Sequence, residues 1–567
     1  MDSREDTQRA SFRIGLILVK MVILQEVDRS TNIMASDLAL KGRCRQMFDF
    51  IKRQYYFRKN EKEFRRERKN NEGSQEPREN GALSQHLVTS LDDNMVKIRQ
   101  LYSNSSDFVA NEMTLSGIRI QILICEGMVN TQTMAEMLIE PLYQLNLFED
   151  STPQGLQNWL RNDCILANDQ QEFRTYGELF RFMMSGFAIV LVDGIDVGLA
   201  LGLQGFQFRS VSEPSAEVNV RGSREGFIEI LRINLTMVRR RIKSPNLKFE
   251  MMTLGSKSQT DICLVYLTDK VSDEILHSVK RRLGSIRLDV ILESGYLQPF
   301  LDDRPLSIFS QVGHTERPDT LCAKINEGRI GILVDGTPFA LVVPYFFAEN
   351  FQSFDDYCHR AFYATFIRWL KYISFFSTIL LPGIYVAIAT FHPELFPYEL
   401  LFNIASSEEA TPFPLVVEAI IIFIIYEIMR EAGLRLPRPI GHAVSIVGAL
   451  VIGDAAVTAG IIGAPMVMVV ALTAISSFVV PSLYEPVTIL RFSFIIIGGA
   501  LGLYGITLAG ALVLSNICAI NAYGIPFTAP ITPFNLFDMR DVVVRKSWQS
   551  LQKEQVNIQS YPGSEIK

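Results

Sequence analysis

The chain has 567 residues, too many for one compact domain, so we expect at least two folding units. Its composition, 48% hydrophobic and 20% charged with a net charge of −6, is on average that of a soluble protein. The seven cysteines are scattered without a C-x-x-C pair and histidine is scarce, which argues against a disulfide framework, a zinc site or a metal enzyme. We therefore expect no cofactor and no metal.

The first 80 residues differ in composition from the rest. Residues 41–80 contain thirteen Lys or Arg against seven Asp or Glu, and they end in "RKNNEGSQEPRENG". This pattern predicts a basic, disordered extension over residues 1–80. The apolar stretch 14–25 is too short to span a membrane and is followed by no signal-peptide cleavage site. Two roles remain open, namely contact with anionic membrane lipid and simple solubilisation.

The next part of the chain repeats itself. "SGFAIVLVDG" (185–194) and "EGRIGILVDG" (327–336) are offset by 142 residues, and so are "IQILICEGMVN" (120–130) and "ICLVYLTDKVS" (262–272). Each pair predicts a strand followed by a turn, and Asp335-Gly336 is a strong hairpin signal. We therefore predict two related α/β subdomains, at residues 82–205 and 230–347.

A charged stretch, "EPSAEVNVRGSREGFIE", closes the segment 206–229 between the two repeats. Its glycines lack the spacing and the lysine of a phosphate-binding loop, so nucleotide binding is disfavoured. We predict a charged joint between subdomains or between subunits. The residues expected to form it are Arg221, Gly222, Arg224, Glu225 and Gly226.

Residues 350–371 are predicted to form an interfacial linker helix before the first apolar run. Ser353 and Asp356 have the spacing of a helix-capping pair. The aromatic and basic residues that follow are typical of a bilayer surface. They are Phe362, Tyr363, Phe366, Trp369 and Tyr372, with Arg368 and Lys371.

From residue 372 to 520 the sequence predicts an all-α polytopic membrane domain, followed by a tail at 521–567. The candidate spans are 372–391, 413–429, 439–463, 464–483 and 491–520. The connection 392–412 has no Lys or Arg whereas 430–439 has three Arg, so the soluble part is expected on the cytoplasmic side. Five spans would leave the basic tail outside, unless the glycines of 491–520 allow a hairpin. Five or six spans therefore remain open.

Charged and small residues inside these spans are functional candidates. The intramembrane charges are Glu418, Glu427 and Asp454; Glu427 is close enough to the surface to be solvated, and Asp454 has a possible partner in Thr458. The third span is rich in Gly, Ala and Ser, which suits either close helix packing or a narrow pore. One helical stripe gives the pore-lining candidates His442, Ser445, Ala449, Ile452 and Ala456.

Taken together, these segments resemble the A subunit of the GerA family of spore germination receptors. The resemblance is carried by "EPSAEVNVRGSREGF", "GRIGILVDGTPFALVVPYFFAENFQSFDDY", "LPGIYVAIATFHPELFP", "EAGLRLPRPIGHAVSIVGALVIGDAAV" and "NAYGIPFTAPITPF". It covers about residues 82 to 546. Met47 would be a natural start for a family member, which leaves open whether residues 1–46 belong to the native protein.

The resemblance implies a subunit of the spore inner membrane that works with a transporter-like, germinant-binding B subunit and a C lipoprotein. It also implies assembly into a homo-oligomer, as a pentamer, that forms a germinant-gated cation channel. The alternatives from other classes are a secondary transporter or transport-complex membrane subunit, and a membrane-anchored enzyme. No inverted repeat and no nucleophile–base pair supports them, so we predict a non-enzymatic receptor with no nucleic-acid partner.

Overall fold

The computed structural model describes residues 82–115, 117–144, 152–162, 170–205, 214, 217, 219, 221–304, 307–435, 453–534, 538–552 and 556–566. All of these residues belong to one compact unit. The predicted basic extension 1–80 lies outside the described residues, and so does the third apolar run up to residue 452.

The first subdomain is a five-stranded antiparallel sheet with the strand order β1-β2-β4-β5-β3. Its strands are β1 Phe108–Leu115, β2 Ile118–Cys125, β3 Gln170–Phe173, β4 Phe187–Val192 and β5 Gly198–Gly202. Helices cover both faces of the sheet, so the central strands β2 and β4 are buried almost throughout. The helices are α1 Leu91–Leu101, α2 over 131–144, α3 Pro153–Asn162 and α4 Tyr176–Met183.

The second subdomain has the equivalent order, β6-β7-β9-β10-β8. Its strands are β6 Leu247–Leu254, β7 Thr260–Leu267, β8 Gly313–Thr315, β9 Ile330–Val334 and β10 Ala340–Val343. Its helices are α5 Leu231–Arg241, α6 Asp273–Gly284 and α7 Pro318–Asn326. Strands β2 and β7 begin 142 residues apart, as do β5 and β10, which agrees with the duplication expected from the sequence.

The repeated Leu-Val-Asp-Gly segments have the same structural role in both subdomains. Asp193 accepts a hydrogen bond from the first N–H of α1 (3.1 Å), and Asp335 accepts one from the first N–H of α5 (3.0 Å). The glycines that follow, Gly194 and Gly336, have φ of 89° and 88°, which only glycine adopts readily, so each closes a tight strand-to-strand turn. The repeat is therefore a turn that also satisfies a helix N-terminus.

The helical region begins differently from the prediction. Residues 350–371 do not form a separate linker helix, because the chain makes a 3₁₀ turn at Phe347–Phe351, a short helix at Asp355–Cys358, and then one 31-residue helix. This helix, α8, runs from Ala361 to Phe391 and includes the predicted first span. No proline or glycine occurs between residues 361 and 381, so nothing interrupts the helix at the expected boundary.

The remaining helices are α9 Tyr398–Glu409, α10 Leu415–Arg435, α11 Gly453–Thr458, α12 Ala464–Ser477 and α13 Tyr484–Ala519. Within the described residues, two helical stretches, Ala361–Phe391 and Pro481–Ala519, are long and apolar enough to cross a membrane. The predicted fourth span, 464–483, is shorter than expected, because α12 has 14 residues and ends before Pro481. Five or six spans therefore remain a prediction.

Helix α13 reverses direction at Gly502, which has φ 62° and ψ −152°. The backbone of Gly505 lies against Ile497, and that of Gly498 lies against Ile506. Residues eight positions apart would be separated by about 12 Å along a straight helix, so the two arms must fold back on each other. This is the hairpin that the glycine run made possible.

The tail at 521–567 packs on the second subdomain. Its short hairpin, β11 Asn521–Ala522 and β12 Ile525–Pro526, lies in the same hydrophobic core as α6 and β7. Tyr523 donates a hydrogen bond to the carbonyl of Leu301 (2.7 Å), and the N–H of Ile558 donates to Glu327 (3.0 Å). The tail is therefore a structural part of the second subdomain.

Candidate functional site

The three parts of the chain meet at a junction formed by residues 353–371 and the tail. Ser353 and Asp356 pair as the sequence predicted, since the N–H and hydroxyl of Ser353 donate to the two carboxylate oxygens of Asp356 (3.3 and 3.0 Å). The helix that they start ends at Cys358. The pair thereby fixes a buried carboxylate just before α8.

Arg368 is the centre of this junction, and its side chain is fully buried. Its Nε donates to Asp356 (2.7 Å), and its Nη1 donates to the carboxylate and the carbonyl of Asp541 in the tail (3.0 and 2.6 Å). Lys371 donates to Ser353 Oγ (2.9 Å). The prediction that Arg368 and Lys371 face a bilayer surface is therefore wrong, because two buried carboxylates draw them to the soluble side of α8.

The aromatic part of the predicted belt is exposed on the opposite face of α8. Phe362 is 93% exposed, and Tyr363, Phe366 and Trp369 are at least half exposed. Tyr372 is the exception, because its ring stacks on Phe351 with the centroids 4.0 Å apart. Helix α8 therefore separates a charged face, used inside the chain, from an aromatic face that the chain leaves uncovered.

The tail completes the junction with a second set of bonds. The Tyr357 hydroxyl donates to Asp541 (2.8 Å), and the Trp548 indole N–H donates to the Tyr357 carbonyl (3.2 Å). Arg545 stacks over both rings, at 5.7 and 5.2 Å from their centroids. Burial raises the pKa of Asp541 above its ordinary value, although Arg368 opposes the shift. Asp541 thus depends on Arg368 for its charge.

The charged stretch near residues 221–226 reaches the same junction. The backbone N–H of Arg221 donates to Asp355 (3.1 Å), and Gly222, with φ 126°, packs against Phe354. Glu225 pairs with Arg240 and Arg241 of α5. Within the chain these bonds connect the second subdomain to the segment before α8, so the predicted contact between the two subdomains is not made by these bonds. Contacts of Arg224 and Gly226 with a neighbouring subunit stay a prediction.

The bond between the subdomains comes from residues that the sequence did not single out. Arg239 of α5 donates two hydrogen bonds to Asp107 of the first subdomain (2.8 and 3.2 Å), and both side chains are buried. Burial alone would raise the pKa of Asp107, but Arg239, Ser105 and Cys125 lower it below its ordinary value. In the run Arg239-Arg240-Arg241, successive side chains point to different partners, which the sequence pattern does not reveal.

The predicted intramembrane charges have different surroundings. Glu427 is not solvated as expected, because it pairs with Arg491, which is fully buried, and with Arg430. Glu418 is buried and accepts a hydrogen bond from the N–H of Gly463 (2.7 Å). Asp454 is exposed on the surface of this chain.

The predicted pore stripe is mostly outside the described residues, which exclude His442, Ser445, Ala449 and Ile452. Ala456 is described, and it packs against the core of the helical region around Met466. In the described part of the chain no three His, Cys, Asp or Glu side chains form a group that could hold a metal ion. The pore assignment and the expected absence of a metal stay predictions.

Comparison with known proteins places this architecture in a family. A family model described as Bacillus/Clostridium GerA spore germination protein matches residues 96–556. Spore germination protein KA of Bacillus subtilis (strain 168) is 40% identical over 82% of this chain and 86% of that protein. Spore germination protein B1 of the same organism is 36% identical, over 81% of this chain and 95% of that protein.

Further matches agree. Spore germination protein GerLA of Bacillus cereus is 33% identical over 81% of this chain and 94% of that protein. The solved N-terminal domain of the A subunit of the Bacillus megaterium spore germinant receptor GerK3 is 30% identical, with a TM-score of 0.38, over 47% of this chain and 98% of that domain. The chain belongs to the GerA family of spore germination proteins.

Proposed function

We propose that this chain is the A subunit of a nutrient germinant receptor in the inner membrane of a bacterial spore. In this proposal it works with a transporter-like B subunit and a C lipoprotein and forms a homo-oligomeric, germinant-gated cation channel. Membership of the GerA family supports the receptor role. The observation that carries the mechanism is the Arg368 junction, which joins the soluble part, the first long helix and the tail.

The contacts of the tail support a multi-pass topology with an even number of crossings. The second subdomain precedes α8, the tail follows α13, and the two share one core, so both ends of the helical region lie on the same side. The reversal at Gly502 supplies an additional crossing within 491–520. We therefore favour six spans, with the soluble part on the cytoplasmic side as the loop charges predict.

The aromatic face of α8 supports self-association. A helix of 31 residues is about 46 Å long, whereas a bilayer core is about 30 Å thick. Phe347 and Phe351 of the soluble part pack beside Phe375, so the hydrocarbon layer begins no earlier than about residue 372. Phe362 then lies about 15 Å from that layer, too far to be covered by lipid. A neighbouring subunit would cover this face.

Coupling between the soluble part and the helices would run through Arg368. Its two carboxylate partners belong to different segments, Asp356 before α8 and Asp541 in the tail after α13. Any movement of the second subdomain that separates these segments leaves a buried charge unpaired, which costs about 3–5 kcal/mol. Movement of the soluble part and movement of the helices are therefore expected to occur together.

Conductance measurements on the full receptor test the proposal. The purified chain is reconstituted in planar bilayers with its B and C subunits, and we expect a cation current that depends on germinant. Arg368→Met should abolish the response to germinant without reducing subunit levels, whereas Arg360→Met, at an exposed position at the start of the same helix, should respond normally. Substrate flux without channel-like conductance would instead indicate a secondary transporter, and assembled receptor with no current would refute the channel.

A further inference from the structure

The end of the helical region that is remote from the soluble part is acidic. Residues 392–412 contain four Glu and no Lys or Arg. This segment lies near the Gly502 reversal, because Phe391 contacts Gly502 and Val416 contacts Gly499. Uncompensated negative charge at the mouth of a protein attracts cations.

Two of the acidic residues of this region come together with partly unsatisfied carboxylates. Glu418 is 1% exposed, and its Oε1 accepts the N–H of Gly463 whereas its Oε2 is buried without a hydrogen-bond partner. Glu408 is close enough to repel Glu418 electrostatically, and its Oε1 is likewise buried without a partner. Within the described residues, neither carboxylate forms an ion pair with Lys or Arg.

Other oxygen atoms lie nearby. The hydroxyl of Ser407 and the Oε1 of Glu418 both flank Gly463, at 2.8 and 3.5 Å from the position where its Cβ would be. The side chain of Tyr385 interacts electrostatically with both carboxylates. We call Ser407, Glu408, Glu418 and Gly463 the acidic cap.

We propose that the acidic cap binds a hard cation, with Ca²⁺ as the ion that balances its charge. Hard cations prefer carboxylate, hydroxyl and carbonyl oxygens, and Ca²⁺ accepts six to eight such ligands in irregular geometry, including water. A divalent ion neutralises two carboxylates, which removes the cost of burying like charges together. The Oε1 of Glu418 holds the N-terminus of α12, and the two unpartnered oxygens are left for the ion. The site does not depend on ion conduction by the receptor.

Terbium luminescence on the full chain in detergent or nanodiscs tests this site. Tb³⁺ replaces Ca²⁺ at oxygen sites, and the nearby ring of Tyr385 should transfer excitation energy to it. We expect saturable emission that Ca²⁺ displaces and that K⁺ at equal concentration does not. Tyr385→Phe should reduce the emission while binding of radiolabelled Ca²⁺ is unchanged.

Matched variants separate this site from the rest of the acidic surface. Glu408→Gln and Glu418→Gln should each weaken Ca²⁺ binding by about tenfold or more, because affinity follows ligand charge. The glutamine at 418 still accepts the N–H of Gly463, so thermal unfolding should show a folded protein. Glu409→Gln removes an exposed neighbouring charge and should bind normally. Equal binding by all three variants, or no saturable binding by the native chain, would overturn the proposal and indicate that the two carboxyls share a proton.

Discussion

The two subdomains share one framework but differ in what completes their cores. In the first, both faces of the sheet are covered by residues between Leu83 and Leu203 alone. In the second, one face has helices of the subdomain itself, whereas the other also incorporates Ala522, Tyr523 and Ile525 from the tail. The first subdomain is thus complete by itself, and the second depends on a segment that follows the helical region.

This difference shows how a duplicated fold acquires a special role without changing its topology. Strand order, turn chemistry and the aspartate at each helix start are kept. What changes is the surface. Equivalent positions hold Arg119, which pairs with Asp92 (2.7 Å), and Asp261, which accepts a bond from Thr253 (3.2 Å). The second subdomain is therefore positioned to transmit changes between the first subdomain and the helices.

The largest effect is expected from the bond between the subdomains. Arg239→Met leaves Asp107 buried without its partner, so we expect a loss of about 3–5 kcal/mol in the stability of the soluble part. Thermal unfolding of the full chain measures it. Arg240→Met, which breaks a half-exposed pair with Glu225, should cost less than about 1 kcal/mol. Equal losses in the two variants would mean that Asp107–Arg239 does not hold the subdomains together.

The second test removes the contribution of the tail to one core only. Tyr523→Ala deletes a buried ring and its bond to Leu301, so we expect the second subdomain to lose about 3 kcal/mol. Hydrogen exchange should become faster in β9 and stay unchanged in the equivalent strand β4. Faster exchange in both strands would show that the subdomains unfold together and that the comparison does not hold.

The third test uses pH at the same interface. Burial, with a contribution from Arg239, lowers the pKa of Lys248 to about 8, while its ammonium donates to the Leu101 carbonyl (3.1 Å). Because the unfolded chain holds this proton more tightly, native stability should rise between about pH 8 and pH 10. Lys248→Met should therefore raise the melting temperature at about pH 7, by about 1–2 kcal/mol in stability, and the gain should shrink above pH 8. A gain that is constant with pH would rule out titration of Lys248.

Acid should act on the opposite partner of this interface. Since the pKa of Asp107 lies below its ordinary value, its stabilising contribution is complete near neutral pH and is lost as the pH falls through that lowered pKa. Asp107→Asn should flatten the acid side of the stability profile. The Lys248→Met variant serves as the control, because it leaves this carboxylate in place.

The smallest effect comes from the repeated turns. Asp193→Ala and Asp335→Ala each remove the acceptor for the first N–H of a helix, at a cost of about 1 kcal/mol. Exchange at the first turn of α1 should rise in the former variant and at the first turn of α5 in the latter. Unequal losses would show that the two turns, despite the same geometry, support their subdomains differently.

The sequence alone determined much of the fold, because its signals are local and periodic. The Asp-Gly turns, the 142-residue spacing and the apolar runs report backbone geometry and solvent within a few residues of themselves. Part of the Arg368 junction was also readable. At about 100° per residue, Arg368 and Lys371 fall opposite Phe362, Phe366 and Trp369, so one helix surface was never expected to hold both sets.

Only the tertiary structure decided the partners of the charges. Asp107 and Arg239 are 132 positions apart, and Arg368 and Asp541 are 173 apart, so no local pattern connects them. The same holds for the tail, whose apolar residues gain a core only when the Gly502 reversal brings the chain back to the second subdomain. The sequence specifies which residues must leave water, whereas the fold determines which neighbours they meet, because burial is a property of each residue and pairing is a property of two.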